Sequence, residues 1–355
     1  MNSVINEFKF IELPTLLCLG ADMLNSVPEV VKRLSLGKKV MLVTDEFLRN
    51  RIAKDVENIL TDAGLEVTIA TIQNSTMDEV IKQIEVHKEI KPDFVIGLGG
   101  GKPIDIAKSI AYKTNQRFIS IPTIASHDGV ASSRASIMGS DKRHSIQALP
   151  PIAVVADTIV LDNSPYRFTA AGCGDLLAKR TAIADWILSH RLKNELISEY
   201  SIALSDMTVQ LITKNANVIR SKTEGYSRIV VKALISSSLA MCVAGSSRPG
   251  SGSEHMFSHA LDSIAEKPAL HGEQCALGTL MMGYLHNLDW ESTKNIMIQL
   301  GLPTTAKELD LKDEDIIESL VTAHTIRPER YTILGKDGLT KDAAVNVASI
   351  TGVIS

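Results

Sequence analysis

The chain has 355 residues, 45% of them hydrophobic and 22% charged, enough apolar side chains for one or two packed domains and too many for a disordered chain. Lys and Arg number 37 against 41 Asp and Glu, a net charge of −4, and aromatics make up only 4%, which excludes a basic or base-stacking surface for nucleic acid. The four cysteines, Cys18, Cys173, Cys242 and Cys275, contain no C-x-x-C pair, which argues against a disulfide framework or a thiolate zinc site and for a reducing, cytoplasmic compartment.

Residues 1–10 carry Glu7 and Lys9 and lack the apolar run of a signal peptide. The run 39–44 (KVMLVT) is apolar and β-branched, as expected of a strand buried on both faces. A helical pattern over 46–63, closed by Gly64, leads to a strand at 66–72, a helix at 77–87 and a strand at 94–98. A helix at 103–113 and a strand at 118–121 follow, then a hairpin over 135–149 turning at Gly139-Ser140-Asp141, and a strand at 152–156. Strands alternating with helices predict βαβ units and a parallel, doubly wound sheet. The longest apolar stretch, 151–161, is interrupted by Asp157 and is too short to cross a bilayer.

From Ser164, a plausible N-cap with Pro165 at the first helical position, the strands stop. Helical patterns run over 165–189, 193–217, 223–245, 252–265, 271–287, 290–299, 312–323 and 340–354. Breaks are expected at Gly172-Cys173-Gly174, Arg248-Pro249-Gly250 and Glu266-Lys267-Pro268. The change of pattern predicts an α/β domain over 1–162 and an all-helical domain over 163–355, with a cleft between them.

Two loops and one histidine cluster carry candidate chemistry. In VIGLGGGKPID (95–105) a buried strand runs into three glycines and a helix start. Such a loop allows close approach of a ligand, and the helix N-terminus offers free N–H groups and partial positive charge, which together suit a pyrophosphate. It is neither G-x-G-x-x-G nor a P-loop, and a tight strand-to-helix turn without a ligand is the alternative. The next loop, IPTIASHDGVASS (121–133), is rich in hydroxyls and follows the neighbouring strand, which puts it beside the glycine loop. His255 and His259 are one helical turn apart, His271 opens the next helix, and Asp175 sits at the glycine kink GCGD. An Asp/His/His set suits Zn²⁺ with an open position, or Fe²⁺ in a two-histidine, one-carboxylate site, although spacing alone fits a structural histidine pair more often.

The elements GGGKPID, PTIASHDG, GCGD, HMFSH and HGE, in this order, resemble the sn-glycerol-1-phosphate dehydrogenase family. That family belongs with glycerol dehydrogenase, iron-type alcohol dehydrogenases and 3-dehydroquinate synthase; the late run RPERYTIL (327–334) also resembles it. The resemblance implies a Rossmann-like N-terminal domain, a helical C-terminal domain as in dehydroquinate synthase, and a metal with NAD or NADP in the cleft. It implies Asp175, His255 and His271 as ligands of Zn²⁺, Fe²⁺ or another divalent metal, with Asp175 also at the substrate. Asp128 and His259 would meet the substrate. Gly101, Lys102, Pro103, Ile104 and Asp105, with Thr123, Ile124, Ala125, Ser126 and Ser132, would hold the dinucleotide. The implied reaction is reversible reduction of dihydroxyacetone phosphate to sn-glycerol 1-phosphate for archaeal-type membrane phospholipids, by a homo-oligomer that does not span the membrane.

Some choices stay open at the level of sequence. Asp45, after the 39–44 strand, could accept ribose hydroxyls and favour NAD, or could cap the next helix. Lys179, Arg180, Arg248 and Lys267 lie near the motifs, but each reads as a solvated surface charge and none is assigned to a phosphate. Rival readings are a glycerol or other polyol dehydrogenase, a 3-dehydroquinate-synthase-like cyclase, and a non-catalytic nucleotide- or metal-binding protein. A non-haem iron oxygenase is disfavoured, since its ligands usually sit on a β-barrel and the glycine loop would have no role.

Overall fold

The computed structural model describes residues 11–139 and 143–355. The reading of residues 1–10, and Ser140 and Asp141 of the expected hairpin turn, lie outside the described residues. Among the described residues eight strands follow in chain order: β1 (Leu16–Gly20), β2 (Lys39–Asp45), β3 (Glu66–Ile72), β4 (Phe94–Gly99), β5 (Phe118–Pro122), β6 (Arg134–Met138), β7 (Arg143–Gln147) and β8 (Ala153–Asp157). Six of them form one parallel sheet in the order β1-β8-β5-β4-β2-β3, while β6 and β7 make a separate antiparallel hairpin. β4 is buried along its whole length, as its unbroken apolar run requires of a central strand.

Helices α1 (Val27–Arg33), α2 (Glu46–Arg49), α3 (Ile52–Asp62), α4 (Met77–Ile90) and α5 (Gly101–Thr114) alternate with the strands. One face of the sheet packs with α1 and α3 in a cluster around Val40, Leu60, Ile96 and Ile119; the other packs with α4, α5 and the hairpin around Val43, Val80, Ile106 and Ile137. The sheet is therefore covered on both sides, as a doubly wound fold must be.

After β8 all regular structure is helical: α6 (Thr158–Asp162), α7 (Tyr166–Leu177), α8 (Lys179–Lys193), α9 (Glu199–Lys214), α10 (Ala216–Ser221), α11 (Tyr226–Ala244), α12 (Ser253–Ile264), α13 (His271–Leu285), α14 (Trp290–Leu300), α15 (Asp313–Thr322) and α16 (Lys341–Ile350), with short 3-10 turns between. The helices share a cluster that also takes in Ile104, Ala125, Val130 and Val154 from the sheet domain, so apolar side chains run continuously from one layer into the other. α11 is long and apolar enough to cross a bilayer by length and composition, but Val230, Val231, Ala233 and Leu234 are fully buried in this cluster.

Several elements differ from the sequence reading. β1 and α1 carried no assigned element: β1 has only five residues and gains its pairing from β8, in register from Leu16 opposite Ala153 to Gly20 opposite Asp157. The 46–63 helix is two helices, interrupted at Asn50 and Arg51. Ser164 is not the cap of α7; Pro165 occupies that position and the Ser164 hydroxyl donates back to the Leu161 carbonyl at 2.7 Å. The glycines of 172–174 do not break the helix, which runs on to Leu177.

Those glycines act by close approach. A Cβ on Gly172 would lie 2.0 Å from the Ala125 carbonyl oxygen, and one on Gly174 would lie 2.3 Å from the Gly272 carbonyl oxygen. Gly272 in turn would place a Cβ 1.8 Å from the Ala171 carbonyl oxygen. α7 thus presses against both the 121–133 loop and the start of α13, and this brings Asp175 beside Asp128 and His271.

Candidate active site and metal centre

The winding of the sheet reverses between β2 and β4, and ligands of open α/β sheets collect at the carboxyl ends of the strands at such a point. A cavity of about 1190 Å³ opens there, between the strand ends and the helical layer. At one end it is lined by Asp45, Phe47, Gly100 and Gly101, and at the other by His255, His259, His271 and Arg327.

The glycine loop builds the first end. Only Gly99 needs an unusual backbone, with φ +144°; Gly100 is extended and Gly101 already begins α5. No side chain caps this 14-residue helix, so its first N–H groups and the positive end of its dipole remain for an anion. Gly101 is needed for space, because a Cβ there would meet His127 Nε2 at 2.2 Å. Of the expected dinucleotide residues, Gly101, Lys102, Pro103, Asp105, Thr123, Ile124, Ser126 and Ser132 line the cavity. Ile104 and Ala125 are buried in the shared apolar cluster instead. The Asp105 carboxylate is already engaged, accepting from Ser136 N at 3.0 Å and Lys108 Nζ at 3.3 Å. Asp45 does cap α2, accepting from Leu48 N at 2.9 Å through one oxygen.

The second end gathers Asp175, His255, His259 and His271, although Asp175 sits just beneath the cavity lining. His255 Nε2 is 3.3 Å from Asp175 Oδ1, the His255 and His271 rings are 5.0 Å apart edge-on, and His259 stacks on His271 at 5.6 Å. His255 Nδ1 lies 2.7 Å from Glu254 Oε1. A histidine whose Nδ1–H goes to a carboxylate leaves its Nε2 lone pair facing the Asp175 oxygen, two acceptors that need a cation between them. Burial alone would lower His255, but Cys275, Asp175 and Glu254 hold it well above its usual value, so a proton can meet that need. Burial, then the charge of His255, pushes His271 well below the ordinary range, which leaves it neutral and ready to ligate. Cys275, one turn after His271, brings its Sγ to 3.5 Å from His271 Nε2, and His255, His271 and Cys275 could hold a metal ion together. Burial raises the Cys275 thiol, whereas Asp175 is held well below the usual carboxylate range and is an anionic donor. His255, His271 and Cys275 have donor atoms within 4.8 Å of one another, and Asp175 Oδ1 joins this set through His255, so the donor types gathered here are those that a divalent cation takes.

Asp128 stands at the cavity wall above this cluster. Its backbone N–H donates to Asp175 Oδ2 at 2.9 Å, and its carboxylate accepts from Ser237 Oγ and Lys179 Nζ, each at 2.8 Å. Lys179 also donates to Asp175 Oδ1 at 2.9 Å and to the Gly250 carbonyl at 3.0 Å. This lysine is completely buried, which corrects its reading as a surface charge. Desolvation works against its ammonium, but Asp128 and Asp175 outweigh it and raise the group above the ordinary lysine value. Burial is likewise overcome at Asp175, which Lys179 and His255 hold well below the usual carboxylate range. Arg248 is also buried, paired with Glu195 and donating to the Tyr331 carbonyl, whereas Arg180 binds the Thr293 hydroxyl and Lys267 is exposed. His127, Lys179, Glu254 and Cys275 had no assigned place in this cluster. All four stand within or beside the quoted motifs, but what brings them together is the contact of α7 with the 121–133 loop and α13.

The comparisons agree with this architecture. The family model "Iron-containing alcohol dehydrogenase" matches residues 18–165. Among solved structures, glycerol dehydrogenase from Schizosaccharomyces pombe superimposes with a TM-score of 0.78 at 23% identity, over 98% of this chain and 92% of that one. The iron-containing alcohol dehydrogenase of Thermotoga maritima gives 0.70 at 17%, over 97% and 99% of the two chains. These likenesses show the fold. Glycerol-1-phosphate dehydrogenase (NAD(P)+) of Thermococcus sibiricus is 49% identical over 343 residues, 97% of this chain and 98% of its own length. The protein of the same name from Methanosarcina acetivorans is 47% identical over 350 residues, 99% of this chain and 98% of its own. Identity at this level from end to end, across both layers of the fold and all of the cavity between them, means that this chain belongs to the glycerol-1-phosphate dehydrogenase family.

Proposed function

We propose that this chain reduces dihydroxyacetone phosphate to sn-glycerol 1-phosphate, reversibly, with NADH or NADPH and a divalent metal, in the cytoplasm. In archaeal-type lipid synthesis that product is the glycerophosphate backbone. The observation that carries the reading is one cavity with an uncapped helix N-terminus at one end and an Asp/His/His cluster at the other. In this reading residues 1–162 hold the dinucleotide and residues 163–355 hold the metal and substrate, with Asp175, His255 and His271 as the ligands of Zn²⁺ or Fe²⁺. Bound there, the cation supplies Lewis acidity toward the substrate carbonyl, and the dinucleotide supplies the hydride.

The chain's own residues do the rest. The N–H groups at Gly101 and Lys102 receive the dinucleotide's phosphates. Asp128, fixed by Lys179 and Ser237, orients a substrate hydroxyl by accepting its hydrogen bond. His259 is nine-tenths buried and its Nδ1 has no hydrogen-bond partner, with Asp262 Oδ2 3.7 Å away. Burial lowers this imidazole, which favours the neutral form that can accept or return the proton of the reacting oxygen. The cavity lies between the two layers, which shield the transfer from bulk water.

Nicotinamide absorbance should fall steadily with dihydroxyacetone phosphate, should not fall with acetone, and should stop on addition of a chelator. An enzyme equally active on unphosphorylated glycerol, or one that forms sn-glycerol 3-phosphate, contradicts the reading. Asp128→Asn keeps the shape but lowers the acceptor strength and weakens the tie to Lys179. It should cost about 10²-fold in kcat/KM and leave NAD(P)H affinity within about 2-fold. A loss confined to dinucleotide binding would move Asp128 out of the substrate site.

A further inference from the structure

Glu254 is a fully buried carboxylate with no lysine or arginine beside it. Among the described residues its one cationic partner is His255, whose Nδ1 lies 2.7 Å from Glu254 Oε1. The same oxygen accepts from Gly252 N at 2.7 Å, and Oε2 accepts from the Thr181 hydroxyl at 2.7 Å. Burial would raise this carboxyl, but the hydrogen bond and charge of His255, with Gly252 and Thr181, hold it below its usual value. Burying a carboxylate in this way is destabilising unless its charge is used. A carbonyl or amide oxygen could aim a histidine ring as well, so the negative charge itself needs a reason.

The charges around the cluster supply one. Lys179 lies between Asp128 and Asp175 and cancels one of their two charges. Histidines ligate as neutral rings, and burial keeps Cys275 a thiol, so these three residues leave one net negative charge for a divalent cation. Glu254 supplies the second. The His255 ring joins two carboxylates, Glu254 through Nδ1 and Asp175 through Nε2 at 3.3 Å. The backbone of Glu254 is held as closely as its side chain: a Cβ on Gly278 of α13 would lie 2.9 Å from the Glu254 carbonyl oxygen. The helices that carry His255 and His271 therefore meet at Glu254.

We propose that Glu254 is a positioning residue of the metal centre, acting through His255. It keeps Nε2 aimed at the Asp175 oxygen, and it brings the buried negative charge up to that of a divalent cation. The inference rests on the ligand set proposed above and requires nothing of the hydride transfer. Thr181 and Gly252 hold the carboxylate still, so the His255 ring cannot turn without losing its bond to Oε1.

The test measures metal affinity in the full chain. Metal-depleted wild type, Glu254→Gln and Glu254→Ala are titrated with Zn²⁺ against a chromophoric chelator. Glutamine keeps the volume and an acceptor for His255 Nδ1–H. Its amide can donate to the Thr181 hydroxyl, whose own proton has the Ala178 carbonyl 3.0 Å away. Glu254→Gln thus removes the charge alone and should weaken Zn²⁺ binding about 10-fold, whereas Glu254→Ala removes charge and aim together and should weaken it about 100-fold. With Co²⁺ in place of Zn²⁺, the visible spectrum of Glu254→Gln should match that of the wild type, and that of Glu254→Ala should not. NAD(P)H affinity should stay within about 2-fold in both, since the start of α5 is a separate part of the cavity. Wild-type Zn²⁺ affinity in Glu254→Gln overturns the proposal even if that variant melts earlier, because lower stability alone is what a packing role predicts. Glu254→Gln decides the matter should the alanine variant not fold. If Asp175→Ala weakens Zn²⁺ binding and Glu254→Gln does not, the ligand set stands and this inference fails; if neither does, both fail.

Discussion

Alanine in place of Asp175, His255 or His271 is expected to remove bound divalent metal and turnover together. Each variant, purified without added metal, should hold well under one equivalent by elemental analysis, and kcat/KM should fall by at least about 10³-fold, the several kcal/mol that a Lewis acid contributes. The three losses have different physical sources. Asp175 is the only anion among the donors in the neutral-thiol state of Cys275, so Asp175→Ala removes the charge that holds a dication in a buried site. His255 is oriented by Glu254, so His255→Ala loses a ligand that was already positioned. His271 opens α13 at the point where Gly272 touches α7, so its ring position is set by backbone packing. Dinucleotide affinity is the control, because the start of α5 is a separate part of the cavity and should bind NAD(P)H in all three variants. A variant that retains both metal and activity would show that its residue is no ligand.

The parts of this site that depend on local sequence were legible, and those that depend on tertiary contact were not. The strand-to-glycine-to-helix run at 95–105 announces its own geometry, since burial, close approach and an uncapped helix start are all written within a few residues. The His255, His259 and His271 spacing is likewise local to α12 and α13. The GCGD run shows why the rest escaped. In isolation Gly172 and Gly174 read as a kink, but the atoms that require them, Ala125 O and Gly272 O, come from distant parts of the chain. β1 escaped for a similar reason: five residues on an edge, with Leu17 exposed, take their identity from β8. Arg327 stands in the RPERYTIL motif, but its place at the cavity depends on a contact with Ser247, distant in the chain. Charge is the property that sequence conveys least well, because Lys179 and Lys267 look alike until one is buried and the other is not.

Lys179→Met should destabilise the metal-free protein by about 3–5 kcal/mol, the usual cost of leaving buried charge without its partner. The ammonium sits between two carboxylates, 2.8 Å from Asp128 Oδ2 and 2.9 Å from Asp175 Oδ1, with its third proton on Gly250 O. Methionine fills about the same volume but leaves two anions facing each other at a largely buried position. The two carboxylates are not equally affected. Asp128 reaches the cavity, with 15% of its side chain exposed, and keeps Ser237, whereas Asp175 is 1% exposed and depends on cations. A divalent metal at Asp175 would replace part of the lost compensation, so the deficit should narrow when metal is added. Urea unfolding with and without chelator reads both quantities, provided the m-values agree. Pairing Lys179→Met with Asp128→Asn removes one of the two facing anions. The double variant should therefore be more stable than the single lysine variant, with a coupling of roughly 1–3 kcal/mol. Full wild-type stability for Lys179→Met in chelator, or an equal deficit with and without metal, would mean that the buried ammonium is not what holds Asp128 and Asp175 together. The expected result assigns Lys179 one task in two states: it keeps the carboxylates in place before the metal arrives, and it keeps Asp128 aimed at the cavity afterwards.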